Sequence, residues 1–271
     1  MRALIWFAWF AGVAAAQTPS ITLVANAEGE QVMIGPNTWV EVKGQSLARA
    51  NDTRIWAGSD FVNGQMPTSL DGTSVTVNGK AAFVYYISAT QVNILTPPDA
   101  MSGTVNVVVT TSAGTSAAQT VNVLPAVPGI FTANASGLGQ AIATDNTTNL
   151  IAAAAGSIAG ITTSPISLSS GHALIVWCTG LGAVTPFIAD NANSFNPDGT
   201  YTLRNTVLKP TVTIGDVEAQ FVYSILSPQY VSEYQIGVVP GAGTPTGSAV
   251  PLQISINGIT TSNQVTIAVA P

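Results

Sequence analysis

The chain has little charge. Only 7% of its 271 residues are charged, with 7 Lys and Arg against 13 Asp and Glu, whereas soluble domains usually carry about 25%. Nucleic-acid binding needs clustered Lys and Arg to meet the phosphates, so this composition excludes nucleic acid as a partner. After the N-terminus no stretch approaches the about 20 apolar residues of a membrane-spanning helix, so we expect no membrane span.

Cysteine and histidine occur once each. Cys178 has no partner for an intrachain disulfide, and its apolar strand-like surroundings predict a buried thiol. His172 follows a glycine in a predicted turn, where we expect a solvated side chain. One His and one Cys are too few for a zinc site, and neither a Gly-x-Ser-x-Gly motif nor a phosphate-binding loop is present. The sequence therefore predicts a protein that is not an enzyme.

The N-terminus has the features of a secretory signal peptide. Arg2 precedes the apolar run 3–13, and Ala14 to Ala16 supply the small residues of a cleavage site before Gln17. Removal of residues 1–16 leaves 6 basic against 13 acidic residues, a net charge of −7. We expect a protein that is secreted, extracellular or held at the cell surface.

The sequence is rich in Val, Thr, Gly and Pro, and this composition indicates an all-β fold. Short alternating segments recur every 8 to 12 residues between Gly and Asn, a pattern typical of β-sandwiches. One set of segments occurs twice. Residues 74–79 and 83–85 (SVTVNG, FVY) recur as 211–215 and 221–223 (TVTIG, FVY), and each copy leads to a Gln-apolar segment ending in Pro.

This duplication predicts two tandem β-sandwich modules behind the signal peptide. We place the first at residues 17–124, a proline-containing linker at 125–128 and the second at 129–271. Asn78-Gly79 favours a type I′ turn, which predicts a hairpin between residues 74–79 and 82–87.

A further set of motifs resembles a bacterial secreted family, the Solibacter uncharacterised C-terminal domain. The resemblance covers about residues 75–269 and rests on motifs that occur in order along the chain: Pro128 to Thr132, Gly137 to Ala143, Thr179 to Gly182, Ser227-Pro228, Tyr234 to Ile236 and Ser262-Asn263. Members of that family also resemble immunoglobulin-like IPT/TIG modules. The resemblance implies secretion, immunoglobulin-like sandwiches and no established activity.

Aromatic side chains outside the predicted core are the candidate ligand-binding residues. Trp56, Tyr201 and Tyr230 lie in predicted loops, where a ring can stack on a sugar or anchor a partner; packing within the loop is the alternative for each. Trp39 and Trp177 lie within apolar strand patterns and are predicted core residues.

One loop is rich in Asp and Asn. Asp190, Asn193, Asn196 and Asp198, with Asn191, are candidate ligands for a structural calcium ion, which takes six to eight oxygens. Their spacing does not fit an EF-hand loop, and such residues are also common in turns. Apart from this ion, no cofactor is expected.

Three functions remain open. The first is a non-catalytic secreted or surface protein that acts in adhesion, matrix building or protein–protein interaction, with self-association through sheet edges as one route. The second is a carbohydrate-binding module, whose partner would be an extracellular polysaccharide. The third is a hydrolase with an unrecognised carboxylate site, because paired acids are invisible in sequence.

Overall fold

The computed structural model describes residues 17–99, 101–188, 200–261 and 264–271. These residues form β-strands joined by turns, with one short 3₁₀ helix at Gly58–Asp60. The all-β prediction is confirmed. The predicted signal peptide and the four candidate calcium ligands lie outside the described residues. No helix in the described ranges has the length and apolar character of a membrane span.

Two sheets are built from the strands before residue 124. The strands, in chain order, are β1 (Ser20–Asn26), β2 (Met33–Ile34), β3 (Trp39–Gln45), β4 (Arg54–Ile55), β5 (Ser69–Leu70), β6 (Thr73–Val77), β7 (Lys80–Ala81), β8 (Phe83–Ile87), β9 (Gln91–Leu95), β10 (Gly103–Thr111), β11 (Gly114–Thr115) and β12 (Gln119–Val123). Sheet I has the order β1-β3-β9-β8-β4, and sheet II the order β2-β12-β10-β6-β5, with β7 on β6 and β11 on β10.

Two further sheets follow. Their strands are β13 (Gly129–Ile130), β14 (Gly139–Gln140), β15 (Ala143–Asp145), β16 (Ile151–Ala152), β17 (Thr163–Ser164), β18 (Ile166–Ser167), β19 (Leu174–Thr179), β20 (Val184–Thr185), β21 (Arg204–Thr206), β22 (Thr211–Ile214), β23 (Val217–Glu218), β24 (Gln220–Leu226), β25 (Tyr234–Val239), β26 (Gly247–Ile256), β27 (Ile259–Thr260) and β28 (Val265–Ala270). Sheet III has the order β17-β16-β15-β19-β25-β24-β21-β20, with β13 on β19. Sheet IV has the order β14-β28-β26-β22-β23, with β18 on β28 and β27 on β26.

Alternating side chains build a core inside each pair of sheets. In the first module, Val42 of sheet I and Val107 of sheet II belong to one buried cluster. In the second, Val176 of sheet III and Ile254 of sheet IV belong to another. Because strand side chains alternate between faces, the remaining side chains of sheets I and III point outward.

The sequence repeat is also a repeat of strand pairing. β6 pairs with β10 as β22 pairs with β26, and β8 pairs with β9 as β24 pairs with β25. Both copies of the Phe-Val-Tyr segment carry a register irregularity, between Val84 and Tyr86 and between Phe221 and Tyr223. The irregularities differ by one position, because the first copy leaves Tyr85 out of register, whereas the second leaves out Val222 and keeps Tyr223 paired with Gly237.

The predicted hairpin is only partly correct. Asn78 and Gly79 have φ angles of 52° and 76°, as a type I′ turn requires, and the turn joins β6 to the two-residue β7. β8 then crosses to sheet I rather than continuing the hairpin. The reason is that Phe83, Val84 and Ile87 are buried in the opposite layer of the sandwich.

Candidate functional site

The two modules are joined by buried hydrogen bonds. The side chain of Asn26 donates to the Val127 carbonyl over 2.6 Å, and Glu28 N donates to Asn26 Oδ1 over 2.8 Å. The buried side-chain amide of Asn37, in module one, donates to the hydroxyl of the fully buried Tyr234, in module two, over 3.0 Å. Asn26 thus ties the first turn of module one to the linker, and the bond between Asn37 and Tyr234 joins the two modules.

The backbones approach closely at this junction because two positions are glycine and carry no Cβ. A Cβ at Gly129 would lie 2.7 Å from Asn26 Oδ1 and 2.7 Å from Glu28 Cβ. A Cβ at Gly137, where φ is +72°, would lie 2.7 Å from Gly29 N. Glycine at both positions therefore lets module two close over Glu28.

A cleft opens beside this junction, between the outer faces of sheets I and III. We call its larger part the aromatic chamber, a cavity of about 570 Å³, and its smaller part the polar groove, a cavity of about 320 Å³. Glu28, Tyr85 and Ala135 line both parts, so the two cavities are contiguous. A volume of this size is typical of small-molecule sites.

Four rings line the aromatic chamber. Tyr85 comes from module one, and Phe131, Trp177 and Tyr230 come from module two. Trp177 and Tyr230 pack edge to face with centroids 5.7 Å apart. The indole nitrogen of Trp177 also donates to Thr144 Oγ1 over 3.4 Å. The ring of Trp177 is therefore held in place, with an aromatic face available to a ligand.

Tyr85 belongs to a second aromatic group. Its ring lies 4.9 Å from that of Trp56 and 5.5 Å from that of Trp39, and Trp56 also packs against Phe61 at 5.2 Å. All these contacts are edge to face, an arrangement that favours ordered rings. Trp56 thus supports a chamber residue from behind.

Two carboxyl groups line the chamber, Glu28 from module one and Glu233 from module two. Burial raises the pKa of Glu28 to about 8, and the charge of Glu41 adds to this. Burial raises the pKa of Glu233 to about 7. Glu28 is 8% exposed, and its Oε2 atom is buried with no hydrogen-bond partner. Both groups are therefore largely uncharged at mildly acidic pH.

The polar groove follows the outer face of β3 and β9. Glu41 and Lys43 alternate with buried valines on β3 and face Asn93 and Gln91 on β9. Lys43 Nζ lies 3.2 Å from Glu41 Oε1 and also pairs with Glu30. Gln91 Nε2 donates to Asn93 Oδ1 over 2.7 Å. The groove offers amide, ammonium and carboxylate groups in a row.

The three candidate aromatic residues predicted from the sequence lie in different surroundings in the structure. Tyr230, 53% exposed, lines the aromatic chamber. Trp56 lies behind Tyr85, and Tyr201, 56% exposed, is not among the described residues that line the chamber or the groove. Only one of the three loop aromatics therefore reaches the cleft.

Two predictions about tryptophan need correction. Trp177 is half-buried at the chamber wall, because its strand alternates and Leu174, Val176 and Cys178 occupy the inward positions. Trp39 is half-buried and lines the polar groove. Strict alternation along β19 could have shown Trp177 to be outward, since the inward face was already taken by three apolar residues.

Cys178 and His172 lie outside the cleft. Cys178 is fully buried as predicted, and burial, with a smaller contribution from Glu233, raises the pKa of its thiol well above the usual range. His172 is not the solvated residue we expected. Its Nδ1 lies 2.7 Å from Asp145 Oδ2, and its side chain is 20% exposed.

Among the described residues no group of three His, Cys, Asp or Glu side chains is placed to hold a metal ion. The site residues that the sequence missed, Glu28, Tyr85, Phe131 and Glu233, come from both modules. Nothing in their local sequence shows that they meet.

Comparisons with known proteins give a family for part of the chain. The IPT/TIG domain model matches residues 34–123, and no curated protein matches the chain. Solved structures that match the chain include a surface glycan-binding protein from Prevotella bryantii, with 10% identity, a TM-score of 0.28 and coverage of 91% of this chain and 41% of that one.

Two others are the Bacteroides ovatus SGBP-B protein of a mixed-linkage glucan utilization locus, solved with a heptasaccharide, and plexin A4. The Bacteroides ovatus protein has 12% identity and a TM-score of 0.33, and the match covers 93% of this chain and 45% of that one. Plexin A4 has 11% identity and a TM-score of 0.30, and the match covers 97% of this chain and 19% of that one. The chain spans less than half the length of each of these three structures, and at these TM-scores the likeness carries no functional argument. Residues 34–123 form an IPT/TIG-like immunoglobulin-fold module.

Proposed function

We propose that the protein is a non-catalytic, extracellular binding protein and that its cleft binds an oligosaccharide. The observation that carries this proposal is the arrangement of the cleft, where four rings line the aromatic chamber and a row of amides and charged groups lines the adjoining groove. Sugar rings stack on aromatic faces, while their hydroxyls exchange hydrogen bonds with such polar groups. Secretion and membership of the Solibacter family, both predicted from sequence, belong to the same proposal.

Burial of the two chamber acids argues against hydrolysis. Glycoside hydrolysis needs one protonated and one ionised carboxyl flanking the bond. Burial raises the pKa of both Glu28 and Glu233, so neither is a ready carboxylate nucleophile or base at mildly acidic pH. The chamber suits holding a sugar rather than cutting it.

Assembly through sheet edges is less favoured. The edge strands β4, β5, β17 and β20 are two residues long, and the longer edge strand β1 has a register irregularity between Ile21 and Leu23. Short or irregular edges are poor templates for strand addition. Binding of a polysaccharide in the cleft is therefore favoured over adhesion through sheet edges.

Affinity electrophoresis of the secreted chain against soluble polysaccharides tests the proposal. We expect retardation by at least one glycan, lost in Trp177→Ala and weakened in Tyr230→Ala. Each ring removed should weaken binding by about 1–3 kcal/mol. Tyr201→Ala is the matched control, because it removes an exposed ring that is not among those lining the cleft.

Circular dichroism and thermal melts establish that the variants fold. Retention of full binding by a folded Trp177→Ala protein, or equal loss in Tyr201→Ala, would place the binding site elsewhere. Absence of retardation by every glycan would overturn the proposal.

A further inference from the structure

The aromatic chamber is acidic and carries no compensating base. Glu28 and Glu233 line it from opposite modules, and none of the described lining residues is Lys, Arg or His. Lys43, the base of the neighbouring groove, is already paired with Glu30 and Glu41. Two acids that face the same space without a base favour a ligand with a positive charge.

One oxygen of the Glu28 carboxyl group has no hydrogen-bond partner. Glu28 is 8% exposed, and the buried Oε2 atom accepts no hydrogen bond. Buried carboxyl groups are normally paired or hydrogen-bonded, because burying an unpartnered charge is costly. The raised pKa values of Glu28 and Glu233 have the same origin, since burial is the largest cause for each. A bound cation would supply the missing partner.

The chamber walls suit a cation as well. Tyr85, Phe131, Trp177 and Tyr230 present rings, and the negative face of an aromatic ring attracts an ammonium group within about 6 Å of its centre. Aromatic walls combined with carboxylates form the usual recognition site for alkylammonium groups. The net charge of −6 for the whole chain adds a long-range attraction of the same sign.

The adjoining groove adds a second requirement. Gln91, Asn93 and Glu41 line it with hydrogen-bonding groups, and it continues from the chamber past Glu28 and Tyr85. A ligand that fills both parts needs an ammonium group at one end and several hydroxyls beyond it.

We infer that the cleft binds an amino sugar with a free amine, its ammonium group in the aromatic chamber between Glu28 and Glu233 and its neighbouring sugar units in the polar groove. This inference rests on the proposed function, because it names the sugar class that the same cleft selects.

Isothermal titration calorimetry at pH 7 with two matched ligands tests it. Glucosamine oligomers carry the free amine, and N-acetylglucosamine oligomers of equal length lack its charge. We expect the glucosamine oligomer to bind at least about tenfold more tightly. Glu28→Gln and Glu233→Gln should each reduce that preference several-fold and leave weak binding of the acetylated oligomer.

Glu218→Gln is the matched control, because Glu218 is an exposed acid of β23 and is not among the residues that line the cleft. Unchanged preference in both cleft variants would overturn the inference, as would an equal loss in the control. Binding of both oligomers with equal affinity would contradict this inference and leave the proposed function intact. If neither they nor any other glycan binds, the proposed function itself fails.

Choline distinguishes the amine from the sugar. It carries the ammonium group but not the row of hydroxyls, so we expect it to compete for the chamber with at least about tenfold lower affinity than the oligomer. Choline binding as tight as that of the glucosamine oligomer would overturn the assignment of a sugar.

Discussion

Asn37 of the first module donates from its side-chain amide to the hydroxyl oxygen of Tyr234 in the second, with an N···O distance of 3.0 Å. Both residues are buried, and the same hydroxyl donates to the Gly182 carbonyl over 2.6 Å. Ser232 completes the group by donating to Asn37 Oδ1. The cleft lies between modules that these bonds hold together, so its walls are positioned before a ligand arrives.

Removal of the Tyr234 hydroxyl should destabilise the fold. Tyr234→Phe leaves the Asn37 amide and the Gly182 carbonyl without a buried partner, which costs about 1–3 kcal/mol in the free energy of unfolding. Urea unfolding followed by tryptophan fluorescence measures the change. Tyr230→Phe is the control, since Tyr230 is 53% exposed, and its effect should stay within about 0.5 kcal/mol. Equal stability of the two variants would mean that this bond does not hold the modules.

A glycine-to-alanine pair tests the close approach over Glu28. A Cβ at Gly129 would lie 2.7 Å from Glu28 Cβ and 2.8 Å from the Glu28 carbonyl oxygen, whereas a Cβ at Gly58 meets nothing within 4 Å. We expect Gly129→Ala to lower the free energy of unfolding by about 1–3 kcal/mol. Gly58→Ala should change it by less than about 0.5 kcal/mol. The expectation fails if thermal denaturation gives the same midpoint for both.

Stability should fall as the pH rises from 5 to 8.5. The pKa of Glu28 is about 8 in the folded chain against 4.5 for an ordinary glutamate, so between these values the folded state holds more protons than the unfolded state. Stability therefore decreases with pH across this window, by on the order of 4 kcal/mol for Glu28. Urea midpoints at pH 5 and pH 8.5 measure it.

The titratable groups around Glu28 include Glu41, Glu30 and Lys43 in the groove and Glu233 across the chamber. Glu28→Gln should lose the part of this pH dependence that belongs to Glu28 and keep the part that belongs to Glu233, whereas Glu218→Gln should retain both. A wild-type protein that is equally stable at pH 5 and pH 8.5 would show that the Glu28 carboxyl is not held uncharged.

The affinity for choline should rise with pH between 6 and 8.5. Choline keeps its charge throughout, while Glu28 and Glu233 ionise as the pH passes their pKa values of about 8 and about 7. Tyr230, Tyr234 and Cys178 are the other titratable groups around Glu233, and burial raises the pKa of Tyr234 and of Cys178. Calorimetric titrations at four pH values give the trend. An affinity that falls with pH would mean that the protonated carboxyls donate to the ligand instead.

The strands and their duplication could be predicted from the sequence because strand patterns depend on residues close together in the chain. Alternation of apolar residues identifies strands, and duplication of the Phe-Val-Tyr segment predicted a duplicated pairing that β8 and β24 then showed. Asn78-Gly79 predicted its turn for the same reason, since the backbone angles depend on those two residues alone. The predicted pairing of β8 was wrong because β8 pairs with β9 in the opposite sheet and does not continue the hairpin.

The binding cleft was decided by tertiary structure. Of the loop aromatics, only Tyr230 reaches the chamber, and Trp177, predicted to be core, forms its wall. Glu28 and Glu233 are 205 positions apart in sequence, and their common surroundings arise only when module two packs over the first turn of module one.

By itself, then, the sequence determined an all-β chain, its repeated modules, its scarcity of charge and its unpaired cysteine, because composition, periodicity and turn chemistry act within a few residues. Tertiary structure alone decided which side chains face one another. Burial and pKa depend on neighbours brought from distant parts of the chain, so the acids and rings of the cleft became a site only in the folded protein.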